Sequence, residues 1–112
     1  PNYDAAAVEG ACGVLRAAAL PEAVMVDCSH ANSSKQHRRQ IDVAEDLARQ
    51  IEGGERRIVG VMVESHLHEG RQDQRPGVAL QPGVSITDAC IGWDETASLL
   101  HEAANRIPVG AK

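Results

Sequence analysis

Phenylalanine is absent from these 112 residues, and tyrosine and tryptophan occur once each. Aromatic side chains supply much of the buried area in small cores. A core made mostly of alanine and valine is therefore thin for a self-sufficient domain, and the chain reads as a piece of something larger. An initiator methionine is also missing, since the chain opens Pro1-Asn-Tyr-Asp, and we expect an upstream part to have been removed. There is no signal peptide and no long apolar run, so neither a secretory leader nor a membrane span is expected. The net charge of −5 gives no electrostatic reason to expect nucleic acid or an anionic membrane as partner, although local basic groups can still serve a phosphate site. Cys-x-x-Cys spacing is lacking too. Cys12, Cys28 and Cys90 are an odd number, and they read as reduced thiols of a cytoplasmic protein, not as a disulfide frame.

What is present is one small domain's worth of chain with 43% hydrophobic residues. Its organising stretch is Val24-Met-Val-Asp-Cys-Ser-His-Ala-Asn-Ser-Ser-Lys35, an apolar β-branched run that ends in a polar cluster and gives way to a helical pattern. A second run, Ile58-Val-Gly-Val-Met-Val-Glu64, repeats the arrangement and is followed by Ser65 and His66. Strands that deliver polar groups at their carboxyl ends are how α/β proteins place chemistry.

Taken in order, Asp4 is a helix cap before an apolar stripe of Val8, Ala11, Cys12, Leu15 and Ala19, with Pro21 as the stop. A strand is expected over 23–29. Ser33 and Gln36 suggest a capping box for a helix with Ile41, Ala44, Leu47, Ala48 and Ile51 on one face, ended by Gly53-Gly54. A second strand is expected over 57–64 and a long polar loop over 65–83, of a length usually functional or mobile. The last helix is expected to start with Asp94 as cap, to carry Leu100, Ala103, Ala104 and Ile107 on one face, and to end at Pro108 before a frayed tail. The order α-β-α-β-loop-α implies a parallel sheet with helical cover. Two parallel strands cannot cover both faces or close a barrel. The expected fold is therefore the last quarter to third of a (β/α)8 TIM barrel: about two strands and three helices, with residues 1–112 as its C-terminal segment.

His30 and Glu64 lie 34 positions apart, one βα repeat, and Asp88 follows 24 further on, beyond the loop. An imidazole and two carboxylates suit a divalent ion such as Mn, Fe, Co or Zn. With His30 and Glu64 pointing into the barrel, period-2 alternation sends Val24, Val26, Cys28, Ile58, Gly60 and Met62 the same way. Val59, Val61 and Val63 then face the helices, and Asp27 is left among the helices in need of a partner. From spacing alone a second reading stands beside this one: strand-end His and acids that make ordinary loop hydrogen bonds, with Asp88 a turn or cap residue. His66 and His68 read as solvated, and His37 and His101 as helix-surface residues. Lys35, Arg38 and Arg39 read as a solvated helix face, with Lys35 close enough to the rim to meet a phosphate. Ser33 and Ser34 read as caps, beside backbone N–H groups that can also receive an anion.

Three stretches, Asp27-Cys-Ser-His-Ala-Asn-Ser-Ser-Lys-Gln36, Gly60-Val-Met-Val-Glu-Ser-His-Leu67 and Ser85-Ile-Thr-Asp-Ala-Cys-Ile-Gly-Trp93, closely resemble, in order and spacing, the C-terminal part of class I 3-deoxy-D-arabino-heptulosonate 7-phosphate (DAHP) synthases, the bacterial and fungal type. The resemblance implies a (β/α)8 barrel that condenses phosphoenolpyruvate with erythrose 4-phosphate and releases phosphate, the first step of the shikimate pathway to aromatic amino acids. It implies a divalent metal held by a Cys, a His, a Glu and an Asp. The last three map to His30, Glu64 and Asp88, and His30 and Asp88 also border the aldehyde pocket as catalytic residues. The family's ligand cysteine, most of its phosphate-holding basic residues and much of its inhibitor-binding region lie upstream, and Cys12, Cys28 and Cys90 do not match that cysteine. The expected partners are thus the two substrates and the missing N-terminal part of the barrel, with a homo-oligomer expected. The 112 residues alone are expected to be catalytically inactive and not a stable, well-packed monomer.

Overall fold

The computed structural model describes residues 1–108; the expected frayed tail lies outside them. The elements are α1 (Ala5–Ala17), β1 (Val24–Asp27), α2 (Arg39–Glu52), β2 (Ile58–Met62) and α3 (Trp93–Arg106), in the expected order. Asp4 caps α1, its Oδ1 accepting from the Ala7 amide at 2.8 Å. The helix closes with paired backbone bonds, Ala19 N–H to Arg16 O at 3.0 Å and Leu20 N–H to Leu15 O at 2.9 Å. That pattern needs a left-handed residue between them, and Ala19 takes it at φ 56°. The end of α2 repeats the motif, with Gly54 at φ 113° in the same role. One helix thus ends on the residue this conformation favours, the other on one that it strains.

β1 and β2 pair in parallel, Val24 with Ile58, then Met25 with Gly60, Val26 with Val61 and Asp27 with Met62. One residue, Val59, is skipped and bulges outward, 67% exposed. The bulge resets the alternation, so Ile58, Val61 and Val63 all join the core with Val24, Val26 and Cys28, against Val8 and Cys12 of α1 and Val43, Ala44 and Leu47 of α2. Val61 and Val63 thus face the helices as expected, whereas Ile58, expected to point into the barrel, joins them. Val24, Val26 and Cys28 keep their alternation but face the helices, not the site, because His30 turns out of the strand at φ 49°. The opposite, open face belongs to Met25, Asp27, Gly60 and Met62, and a Cβ on Gly60 would lie 3.5 Å from the Met25 side chain. Asp27 is therefore not stranded among helices.

Two helix starts also differ from expectation. α2 begins at Arg39 with no side-chain cap. Ser33 Oγ instead donates back to the His30 carbonyl at 3.2 Å, so the Ser33–Gln36 capping box does not form. Residues 29–38 make a chain of turns in which His30, Ser34 and Lys35 all have positive φ. In α3 the cap is Gly92, and Asp94 sits in the first turn with Glu95, where both carboxylates favour the helix dipole. α3 buries Thr96 and Leu99, whereas Leu100 and Ile107 are 53% and 46% exposed. The buried stripe is one residue away from the expected one, because α2 packs on the Leu99 side. Leu100 and Ile107 overlook an open apolar groove that also exposes Val59 and Gly60 of β2.

The long loop is tied down. Gly70 and Cys90 exchange backbone bonds at 2.9 and 3.1 Å, and Ile91 N–H reaches Glu64 O at 3.1 Å. The 85–91 segment therefore runs beside the continuation of β2, and this brings Asp88 back over the strand ends. At the other end of the sheet Arg57 joins Glu9, Glu22 and Glu55, and its hydrogen bonds hold the Glu55 carboxyl down at about 2. The whole is a slab, 54 × 31 × 19 Å, with a radius of gyration of 16.4 Å. A compact domain of this length has about 13 Å. Among the described residues no helix is long and apolar enough to cross a membrane.

Candidate metal centre

Three side chains from three separate segments converge at the carboxyl ends of the strands. His30 leaves the turn after β1, Glu64 follows β2 by two residues, and Asp88 comes from the returning loop. His30 Nε2 lies 3.5 Å from Glu64 Oε1 and 3.6 Å from Asp88 Oδ2, and one donor atom from each falls within 4.8 Å of the others. Donors bound at 2.0–2.2 Å to a tetrahedral ion stand about 3.4 Å apart. The separations, and the nitrogen–carboxylate donor set, therefore fit a divalent ion. Cys12, Cys28 and Cys90 are buried free thiols, and none joins the cluster.

Each donor is held by neighbours. Asp27 Oδ2 sits 2.7 Å from His30 Nδ1, while its Oδ1 accepts from the Ser29 amide at 2.7 Å. In the neutral imidazole, Nδ1–H donating to Asp27 leaves the Nε2 lone pair facing the two acids, the usual outer support of a metal-binding histidine. The bond to Asp27 and its charge raise the His30 pKa, and Glu64 and Asp88 add to the effect. Ser29 Oγ donates to Glu64 Oε1. The backbone under Asp88 is steadied by Arg71, whose Nε donates to Thr87 O at 2.9 Å. His30 itself is at φ 49°, a region that histidine visits more readily than most residues.

Lys35, His37, Arg71 and Ala89 complete the cavity wall around His30, Glu64 and Asp88. Lys35 lies in the turn before α2, at φ 59°, and not on a helix face, and it lines the cavity at the rim. His37 and Arg38 do not lie on a solvated helix. They precede α2 and grip Glu69 of the long loop, His37 Nε2 at 2.8 Å and Arg38 through two nitrogens at 2.6 Å each. That grip lowers the Glu69 pKa.

Asp27, Ser29, Gln40 and Arg71 are the site's supports; Asp27 was expected to need a partner but not to serve His30, and the other three were not singled out from the sequence. The i, i+3 spacing of Asp27 and His30 across a turn was the available signal for the first. Gln40 interrupts the apolar stripe of α2 one turn before Ala44. Ser29 and Arg71 left no pattern, because their partners are distant in sequence.

A parallel βα segment with nitrogen and carboxylate donors gathered at its strand ends is the architecture of an α/β enzyme's active rim. The chain belongs to the DAHP synthetase I family, whose model matches residues 1–101. It is 54% identical over 107 residues to the Phe-sensitive phospho-2-dehydro-3-deoxyheptonate aldolase of Escherichia coli K12, covering 96% of this chain and 31% of that protein. Against the tyrosine-inhibited enzyme of Schizosaccharomyces pombe the identity is 51% over 111 residues, covering 96% of this chain and 30% of the relative. The solved phospho-2-dehydro-3-deoxyheptonate aldolase of Francisella tularensis SCHU S4 superposes with a TM-score of 0.88 at 38% identity, over 96% of this chain and 31% of that one. The chain thus spans about a third of the length of the relatives it matches.

Proposed function

We propose that this chain supplies the C-terminal third of a DAHP synthase, a (β/α)8 barrel that condenses phosphoenolpyruvate with erythrose 4-phosphate and releases phosphate, opening aromatic amino-acid biosynthesis. The observation that carries the reading is the approach of His30 Nε2 to Glu64 and Asp88 at 3.5 and 3.6 Å in a member of this family. His30, Glu64 and Asp88 hold a divalent ion, Mn, Fe, Co or Zn, and the family's upstream cysteine completes its ligands. Bound there, the ion supplies Lewis acidity toward a carbonyl oxygen or a water.

The chain's own residues prepare that site. Asp27 keeps the His30 proton on Nδ1, and Ser29 orients the Glu64 carboxylate. His30 and Asp88 border the aldehyde. Lys35 and Arg71, cations on the same cavity wall, attract the phosphate of an incoming substrate. The remaining barrel contributes the other strands and the main phosphate clamp, and the whole enzyme is a cytoplasmic homo-oligomer.

The isolated 112 residues have a separate reading, that of a catalytically inactive piece. It is favoured by the slab shape and the exposed groove. Turnover assays with both substrates and Mn²⁺ test the two together. The full-length polypeptide carrying this segment is expected to turn over and the isolated chain is not. An inactive but folded full-length protein would refute the enzyme reading, and turnover by the isolated chain would refute its inactivity.

A further inference from the structure

Gln40 is completely buried in the first turn of α2, and its carboxamide reaches across to the peptide groups of Glu64. Its Oε1 accepts from the Glu64 amide at 2.7 Å, and its Nε2 donates to the Glu64 carbonyl at 3.1 Å and to the His37 carbonyl at 3.1 Å. The oxygen and both N–H groups of the side chain are all engaged. The β1–β2 pairing stops at Asp27 and Met62, so beyond it the Gln40 amide stands in for a neighbouring strand, pairing with both peptide groups of one residue. Only an amide does this. A carboxylate at the same place would set oxygens against two carbonyls, and an apolar side chain would leave the Glu64 N–H without a partner.

We propose that Gln40 is a positioning residue: by pinning the Glu64 backbone to α2 it sets the direction from which the Glu64 carboxylate meets His30 and Asp88. The role rests on the metal reading above. Through His37 the same side chain joins the turn that grips Glu69, so helix, turn and ligand strand are fixed at one point.

The test is titration of the metal-free full-length polypeptide with Mn²⁺ alone. Gln40→Met, which keeps the volume and removes all three bonds, is expected to weaken Mn²⁺ binding by about tenfold to a hundredfold, the range for lost outer supports of a metal site. Val43→Ala removes core volume from the same helix without touching the site. It should lower the melting temperature and leave Mn²⁺ affinity within about twofold, which separates positioning from mere stability. Equal Mn²⁺ affinity in wild type and Gln40→Met overturns the role. Hydrogen exchange on the metal-free wild type gives a second readout that needs no variant. The Glu64 amide is expected to exchange slowly, and exchange at the rate of an open amide overturns the pinning. Wild-type protein that binds no Mn²⁺ while its Glu64 amide stays protected would overturn the metal reading itself, and this role with it.

Discussion

Replacing Asp27 by Asn tests how the metal-facing histidine is prepared. The asparagine oxygen keeps the 2.7 Å bond from the Ser29 amide, so its NH₂ comes to stand against His30 Nδ1, now 2.7 Å from a carboxylate oxygen. An NH₂ group can only donate there. The imidazole proton is thereby driven to Nε2, the atom that faces Glu64 and Asp88, and the lone pair a metal needs is lost. Loss of an outer support costs about 10- to 100-fold in metal affinity. The His30 and Asp27 side chains are 51% and 41% exposed, so water screens part of the effect and about tenfold is expected. A second consequence runs the other way. Asp27 raises the His30 pKa, so in the wild type a proton competes with the metal up to a higher pH, and Asp27→Asn relieves that competition. The two separate by titrating Mn²⁺ at several values from about pH 7 to pH 8.5. Proton competition fades as pH rises, whereas the tautomer effect remains. The assay is Mn²⁺ affinity of the full-length polypeptide, with imidazole ¹⁵N shifts reporting the tautomer. Unchanged affinity at the high end of the range, with the proton still on Nδ1, would refute the reasoning.

Two further outcomes are expected. Ala19→Gly should stabilise the fold by about 1 kcal/mol by relieving left-handed strain, while Gly54→Ala at the equivalent place on α2 should cost about as much; denaturant midpoints that moved in the opposite order would contradict the matched helix-end motifs. The isolated 112-residue chain, with its open groove and Met25, Val59 and Leu100 exposed, should self-associate in sedimentation, and a compact, cooperatively melting monomer would count against the open-slab description.

The order of elements was legible because each carries its own period and punctuation. The Asp4 cap, the Gly53-Gly54 stop and the two β-branched runs are local signals, and local structure follows them. Some misleading signals were local. Ser33 bonds back to the His30 carbonyl and does not cap α2. The faces of Val24, Val26 and Cys28 were reversed because His30, at φ 49°, has already turned out of the strand. Others were non-local. The skipped Val59 is a pairing event between two strands, invisible to alternation within one, and it put Ile58 in the core. The α3 stripe, too, follows from where α2 lies. Leu99 and Leu100 are equally apolar, and only packing decides between them. His30, Glu64 and Asp88 were legible as a group through strand-end position and family resemblance, and the structure brings them together. Gln40 and Ser29 were not legible, since each acts on Glu64 from 24 and 35 positions away.

Mn²⁺ titration of the full-length polypeptide against its His30→Ala, Glu64→Ala and Asp88→Ala forms bears on the whole account. One bound ion per chain in the wild type, with binding severely weakened in each variant that keeps its fold, is the expected result. Undiminished binding in folded His30→Ala protein would contradict it.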